Sequence, residues 1–186
     1  MLGTVFKMTL HIFLVGNLDP KHFLHLVVDT DVFLHMFAGF EIHEMCFAEE
    51  EIIFCGITPG NGSIISDRIV KKLTSISTIK IKKVTIEINK SNPLAEKINC
   101  VLRSEEYANK TVVIVDDVSN SGKTLMYAAK YFLESPIKAI RPLVLVDRNH
   151  SRYPIKPSFV GLTVSTTLKD HIQVEMNEKE EVVYLV

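Results

Sequence analysis

Val113-Ile114-Val115-Asp116-Asp117-Val118-Ser119-Asn120-Ser121-Gly122-Lys123-Thr124 is the stretch that decides how this chain folds. Its apolar start does not alternate with polar residues, so it reads as a strand covered on both faces. The strand delivers two adjacent carboxylates, Asp116 and Asp117, to a sheet edge. A loop of small hydroxyl and amide residues follows, and Gly122-Lys123-Thr124 opens a helix. A helix N-terminus offers unpaired N–H groups and the positive end of a dipole, which together suit a phosphate. Ser119, Asn120, Ser121 and Thr124 add side-chain donors. The two acids repel a phosphate but accept hydrogen bonds from hydroxyls a few ångströms away. Phosphate on one side and hydroxyls on the other describe a ribose 5-phosphate.

Working outward, Ile52 to Ile57 and Pro142 to Val146 are further buried strands, and Ile79 to Ile88 alternates as a strand with an expected bulge at Lys82-Lys83. Helical stripes run from Asp31 to Phe47, from Ile64 to Leu73 and from Gly122 to Leu133. The polar stretch Asn89 to Asn109 predicts a long functional loop with a short helix near Leu94 to Ile98. Short strands are expected around Phe159-Val160, Ile172 to Met176 and Val182 to Val186. Strands alternating with helices imply an α/β fold, a doubly wound and mostly parallel sheet with right-handed crossovers and helices on both faces. Ligands of such sheets bind beyond the carboxyl ends of the strands. Three turns fall there: Thr58 to Ser63, Asp116 to Thr124, and Asp147 to Arg152.

Two other motifs compete for these turns. Gly122-Lys123-Thr124 matches the end of a nucleotide-binding P-loop, but that loop needs glycine where Asp117 stands, and an acid there would face the phosphates. Gly60-Asn61-Gly62 after a strand opens a dinucleotide fingerprint whose third glycine is replaced by Ile65. Composition narrows the field further. With 186 residues the chain has room for about one domain. A net charge of -1 excludes a protein that mainly coats nucleic acid. Cys46, Cys55 and Cys100 are odd in number and form no C-x-x-C, so neither a disulfide framework nor a cysteine zinc site is expected. Free thiols fit a cytoplasmic location. The apolar run near the N-terminus is too short to cross a bilayer, and no membrane partner is expected. Residues 1–27 read as an extension, with the main domain over 28–186.

Val113 to Thr124 resembles the phosphoribosyl pyrophosphate (PRPP) signature of type I phosphoribosyltransferases. Leu145 to Gly161, with Asp147-Arg148-Asn149-His150 and Pro154-Ile155, is similar to the PyrR family of uracil phosphoribosyltransferases and pyrimidine-operon attenuation proteins. The resemblance implies the type I phosphoribosyltransferase fold with a small hood, and a pentosyltransferase that moves the ribose 5-phosphate of PRPP to a nucleobase and releases pyrophosphate. Uracil is the base it implies first. Asp116 and Asp117 would bind the ribose hydroxyls, with Asp117 as general base, and Ser119, Asn120, Ser121, Gly122, Lys123 and Thr124 would hold the 5-phosphate. Thr58, Pro59, Gly60, Asn61 and Gly62 would bind pyrophosphate. Asp147, Arg148, His150, Phe159 and Val160 would form the base site, with Phe159 stacking. Magnesium would arrive with PRPP, with no protein ligand set assigned. A homo-oligomer, a dimer in the first place, is implied. An alternative is a weakly catalytic nucleotide sensor that binds messenger RNA. Two departures from the family pattern point to weakened turnover. The turn at Thr58 to Gly62 has no arginine, and Glu87-Ile88-Asn89-Lys90 replaces the usual Tyr-Arg loop pair. Lys90 is the available substitute, though an ammonium does not reproduce the bidentate grip of a guanidinium.

Overall fold

The structure is a computed structural model that describes residues 13–14, 24–27, 39–165, 171–176 and 181–185. The chain groups into two compact units, residues 29–169 and residues 1–28 together with 170–186.

The larger unit is built on a six-stranded sheet. In chain order its strands are β3 (Glu51–Thr58), β4 (Lys80–Glu87), β5 (Asn99–Cys100), β6 (Thr111–Ser119), β7 (Ala139–Asp147) and β8 (Phe159–Thr163). Across the sheet they run β5-β4-β3-β6-β7-β8, all parallel except β5, which is antiparallel to β4. The helices are α1 (Gly39–Cys46), α2 (Gly62–Ile76), α3 (Ser104–Tyr107) and α4 (Lys123–Phe132). Side chains of a strand alternate between its two faces. On one face Ile53, Cys55, Val112, Ile114 and Val144 pack with Leu125, Ala128, Ala129 and Phe132 of α4. On the other, α2 begins directly over Gly56, where a Cβ would stand 2.6 Å from Ser63 Cα. Ile65, Ile69 and Leu73 form the buried stripe of α2, and α1 packs on that helix through Ile42 and Cys46. Each such fully buried aliphatic or aromatic side chain is worth roughly 1.5–3 kcal/mol. The expected α/β, doubly wound architecture with helices on both faces is what the larger unit shows.

Local expectations needed correction in several places. No bulge occurs in β4, because pairing with β3 runs without a break from Glu51 opposite Lys80 to Thr58 opposite Glu87. The apparent change of phase at Lys82-Lys83 arises because this strand is only partly covered at its start. Apolar residues of either parity fit there, and the two lysines pair with Glu106 and Asp67. No helix forms over Leu94–Ile98, where Pro93 opens a turn and Leu94 stays exposed. The short helix lies later, at α3, where Tyr107 packs edge-on against Phe132 at 5.1 Å between ring centroids. The Asp31–Phe47 helix is seen as Gly39–Cys46, and its expected start lies outside the described residues. Strand β6 does not end in the two acids but continues through them to Ser119, because β7 extends the ladder alongside it. Cys55 and Cys100, remote in sequence, bring their thiols together. The hydrogen bond from Cys55 lowers the Cys100 pKa to about 6 against burial, while burial pushes Cys55 well up.

The second unit is an antiparallel sheet of β1 (Phe13–Leu14), β2 (Leu24–Val27), β9 (Ile172–Met176) and β10 (Glu181–Leu185), in the order β1-β2-β10-β9. Segments from the two ends of the chain therefore share one sheet, with Val183 opposite Leu26 and Val174. Among the described residues no helix is long and apolar enough to cross a membrane.

Candidate active site

Strand β6 carries Asp116 and Asp117 to the carboxyl edge of the parallel sheet. Alternation sends the two side chains in different directions, and their environments differ accordingly. Asp116 is 2% exposed and Asp117 is half-buried. The Lys90 ammonium lies over both, 2.8 Å from Asp116 Oδ1 and 3.4 Å from Asp117 Oδ1. Burial, reinforced by the neighbouring Asp117 charge, pushes the Asp116 pKa up to about 7. Burial also acts upward on Asp117, but Lys90 and the backbone N–H groups of Asn61 and Val118 outweigh it and hold that carboxyl below its ordinary value. Burial acts downward on Lys90, and the two carboxylates more than reverse it.

Beyond the acids, residues Val118 to Leu125 curl around a pocket of about 270 Å³ whose wall is completed by Lys90 and Asp116. Gly122 takes φ +79, a left-handed conformation that side chains disfavour, and a Cβ there would stand 3.1 Å from Ile155 Cγ2. That turn lets α4 start with its N-terminus at the pocket, and Met126 N already donates to Gly122 O at 2.9 Å. The Ser119 hydroxyl is buried and has no hydrogen-bond partner among the described residues. Ser119 is also one of the residues that line the pocket, and a buried orphan hydroxyl is unusual. Lys123, by contrast, sends its ammonium to Ser91 O at 2.9 Å, tying the segment after Lys90 to the start of α4.

The turn after β3 closes against the acids from the other side. The Asn61 backbone N–H and its Nδ2 both donate to Asp117 Oδ2, each at 3.1 Å. Thr58 Oγ1 donates to Ile86 O at 3.3 Å, and the Thr58-Pro59 peptide is cis. Gly60 takes φ +128, and a Cβ on it would come within 2.8 Å of Lys90 Nζ and 3.3 Å of Asp117 Oδ2. Gly62 sits between strands, where a Cβ would meet Val115 O at 2.4 Å. The structure thus brings Thr58–Gly62 and Asp116–Thr124 together through Asn61, Asp117 and Lys90.

The third expected turn is only partly gathered in. Arg148 N donates to Ser119 O at 3.0 Å, and Arg152 N donates to Ser121 O at 2.9 Å, so this segment lines up along the pocket loop. Asp147 Oδ1 accepts from Asn149 N at 3.1 Å, and Arg148 is buried. His150 is half-buried. Val160 pairs with Val144, which pairs with Asp116, while Asp147 stands level with Thr163. Phe159 is a core residue, 1% exposed and opposite Leu143, so its ring presents no free face for stacking. Sequence reasoning missed the position of Lys90. It had that residue only as an arginine substitute in a loop, and no local pattern connects a lysine after β4 with acids on β6.

A carboxylate pair at a parallel-sheet edge, joined to a polar pocket at a helix N-terminus, defines a class, and comparison with known proteins agrees. Residues 37–179 match the family model described as a phosphoribosyl transferase domain, so the chain belongs to the phosphoribosyltransferase family and is a pentosyltransferase of type I fold. Within that family it lies close to PyrR. It is 32% identical over 157 residues to the bifunctional protein PyrR of Fusobacterium nucleatum, covering 79% of this chain and 88% of that protein. The PyrR protein of Latilactobacillus sakei is 29% identical over 166 residues, covering 83% and 92%. A hypoxanthine-guanine phosphoribosyltransferase structure from Bacillus anthracis superposes with a TM-score of 0.62 over 84% of this chain and 92% of that one. At 16% identity that likeness shows the fold.

Proposed function

We propose that this protein transfers the ribose 5-phosphate of PRPP to a nucleobase, uracil first, with release of pyrophosphate. The observation that carries the proposal is the acid pair of β6 set between an anion pocket with a buried orphan hydroxyl at Ser119 and a glycine turn that reaches Asp117 through Asn61. In this reading the 5-phosphate takes the pocket of Ser119 to Thr124, the ribose hydroxyls donate to Asp116 and Asp117, and pyrophosphate lies along Thr58 to Gly62. A base nitrogen attacks the anomeric carbon as the bond to the pyrophosphate oxygen breaks. Asp117, whose carboxyl is held below its ordinary pKa, would take the proton the base loses. Catalysis is then mostly positioning and stabilisation of the leaving charge. Among the described residues no three His, Cys, Asp or Glu side chains converge. In this reading a magnesium ion comes in on substrate oxygens and is completed by water, since Mg²⁺ commonly keeps several waters and takes substrate phosphates as ligands. Bound there, the ion would neutralise pyrophosphate charge. Asp147 and Arg148, which lie beside Ser119, and His150 would be the base-site residues, and uracil is preferred on the likeness of their run to PyrR.

The test is product formation from PRPP, magnesium and each common base, together with thermal shifts for PRPP and for uridine and guanosine monophosphates. Ligands that bind only the folded form raise its apparent stability with concentration. Ser121→Asp sets a negative charge against the 5-phosphate and is expected to abolish the shift. Asp117→Asn is expected to lower turnover about 10²- to 10⁴-fold, the range of a positioned general base. A parent protein that folds but neither binds PRPP nor forms a nucleotide with any base would refute the proposal. The relatives named bifunctional support a second role as a nucleotide-controlled binder of messenger RNA. Its test is titration of pyrimidine-operon leader RNA with and without uridine monophosphate, and binding that ignores the nucleotide would eliminate it.

A further inference from the structure

Three of the four oxygens of the acid pair accept hydrogen bonds from the protein's own donors, the Lys90 ammonium among them. Asp116 Oδ1 and Asp117 Oδ1 accept from Lys90 Nζ at 2.8 and 3.4 Å, and Asp117 Oδ2 accepts twice from Asn61. These are the oxygens that ribose hydroxyls need in the reaction proposed above. Lys90 Nζ also lies against the glycine turn, close enough that a Cβ on Gly60 would sit 2.8 Å from it. The ammonium therefore stands at the junction of ribose and pyrophosphate positions, and only the bare backbone of Gly60 leaves it room. Its neighbour Ser91 is anchored by Lys123 at 2.9 Å, which holds the start of this segment over the pocket.

We propose that Lys90 is a specificity-determining residue: it fills the acid pair as an internal competitor and makes the site favour a sugar phosphate that carries pyrophosphate over one that does not. A ligand with ribose hydroxyls must displace the ammonium from both carboxylates. A nucleoside monophosphate or ribose 5-phosphate offers the displaced charge only the 5-phosphate, which all three ligands share, in the pocket whose wall Lys90 already forms. PRPP supplies a new anionic partner, a pyrophosphate beside Gly60, so Lys90 exchanges one charge-assisted contact for another over a short path. The released Asn61 N–H turns to the same pyrophosphate. Occupation of the site by its own side chain lowers the apparent affinity of every ligand by the fraction of open state, and only PRPP recovers the loss through a new ion pair. This inference rests on phosphoribosyl transfer as the function.

The experiment compares parent, Lys90→Met and Lys90→Arg by calorimetric binding of PRPP, ribose 5-phosphate and uridine monophosphate, with folding checked by circular dichroism. Lys90→Met is expected to weaken PRPP about tenfold, the effect of losing one charge-assisted hydrogen bond. The same variant is expected to bind ribose 5-phosphate and uridine monophosphate more tightly than the parent, because the competitor is gone. Lys90→Arg is expected to restore PRPP binding and to weaken the two pyrophosphate-free ligands again. Opposite movement of the two ligand classes supports the proposal, since a lysine that merely steadied the fold would move both together. Equal weakening of all three ligands, or no change in any, overturns it while leaving phosphoribosyl transfer intact. Should Lys90→Met not fold, Lys90→Gln carries the same comparison, and Lys90→Arg binding all three as the parent does while Gln weakens all three equally also overturns it. A parent that binds none of the ligands overturns both the inference and the function beneath it.

Discussion

Asp116 is the side chain on which folding and function pull in opposite directions. The fold needs the strand around it dry, and the site needs a carboxylate at that point. Burial raises its pKa from 3.8 to about 7. The native state therefore holds a proton that the unfolded chain has already lost over this interval. The group's contribution to stability is complete below about pH 4 and is lost as pH rises through 7, with a slope of at most about 1.4 kcal/mol per pH unit. Asp116→Asn removes this dependence. Urea unfolding of parent and variant from pH 5 to 8 is expected to show the parent losing ground to Asp116→Asn as pH increases, and a constant difference would show that Asp116 does not titrate in this window. Both acids were evident in the sequence because they follow an apolar run directly. The partner that acts against burial on both acids, Lys90, was not evident there in that role.

Elements were readable where a period repeats and unreadable where a neighbour creates them. Strands β3, β6 and β7 announce themselves by unbroken apolar runs, and α2 and α4 by stripes of three- and four-residue spacing. Strand β5 has two residues and exists because β4 offers it an edge, and α3 is held by Tyr107 against Phe132. The start of α2 depends on close approach instead. A Cβ at Gly62 would meet Val115 O at 2.4 Å and Ile57 O at 2.7 Å, backbone atoms of two central strands that cannot rotate away. Gly62→Ala is expected to destabilise by about 1–3 kcal/mol or more, the usual penalty of overpacking. Denaturant titration checks it, and a change within about 0.5 kcal/mol, as at an ordinary surface site, would contradict the packing described.

At the scale of the whole molecule, the two ends of the chain meet in one sheet. Strand β10 lies between β2 and β9, so both pairings depend on it. Removing residues 181–186 is expected to expose Leu24–Val27 and Ile172–Met176 to rapid amide hydrogen exchange while Ile53–Cys55 and Val113–Val115 keep their protection. Unchanged protection in 24–27 would show that β2 does not rely on β10. The sequence by itself determined the α/β class, the parallel core, the acid pair and the small-residue loop that leads into a helix, because each is written in residues within a few positions of one another and local periodicity decides which face a side chain takes. Tertiary structure alone decided that Lys90 lies on acids 26 and 27 positions away, that Asn61 reaches Asp117 across 56, and that Phe159 faces the core. Those contacts follow from strand order and register, which bring distant side chains to one edge and leave no trace in the spacing of neighbouring residues.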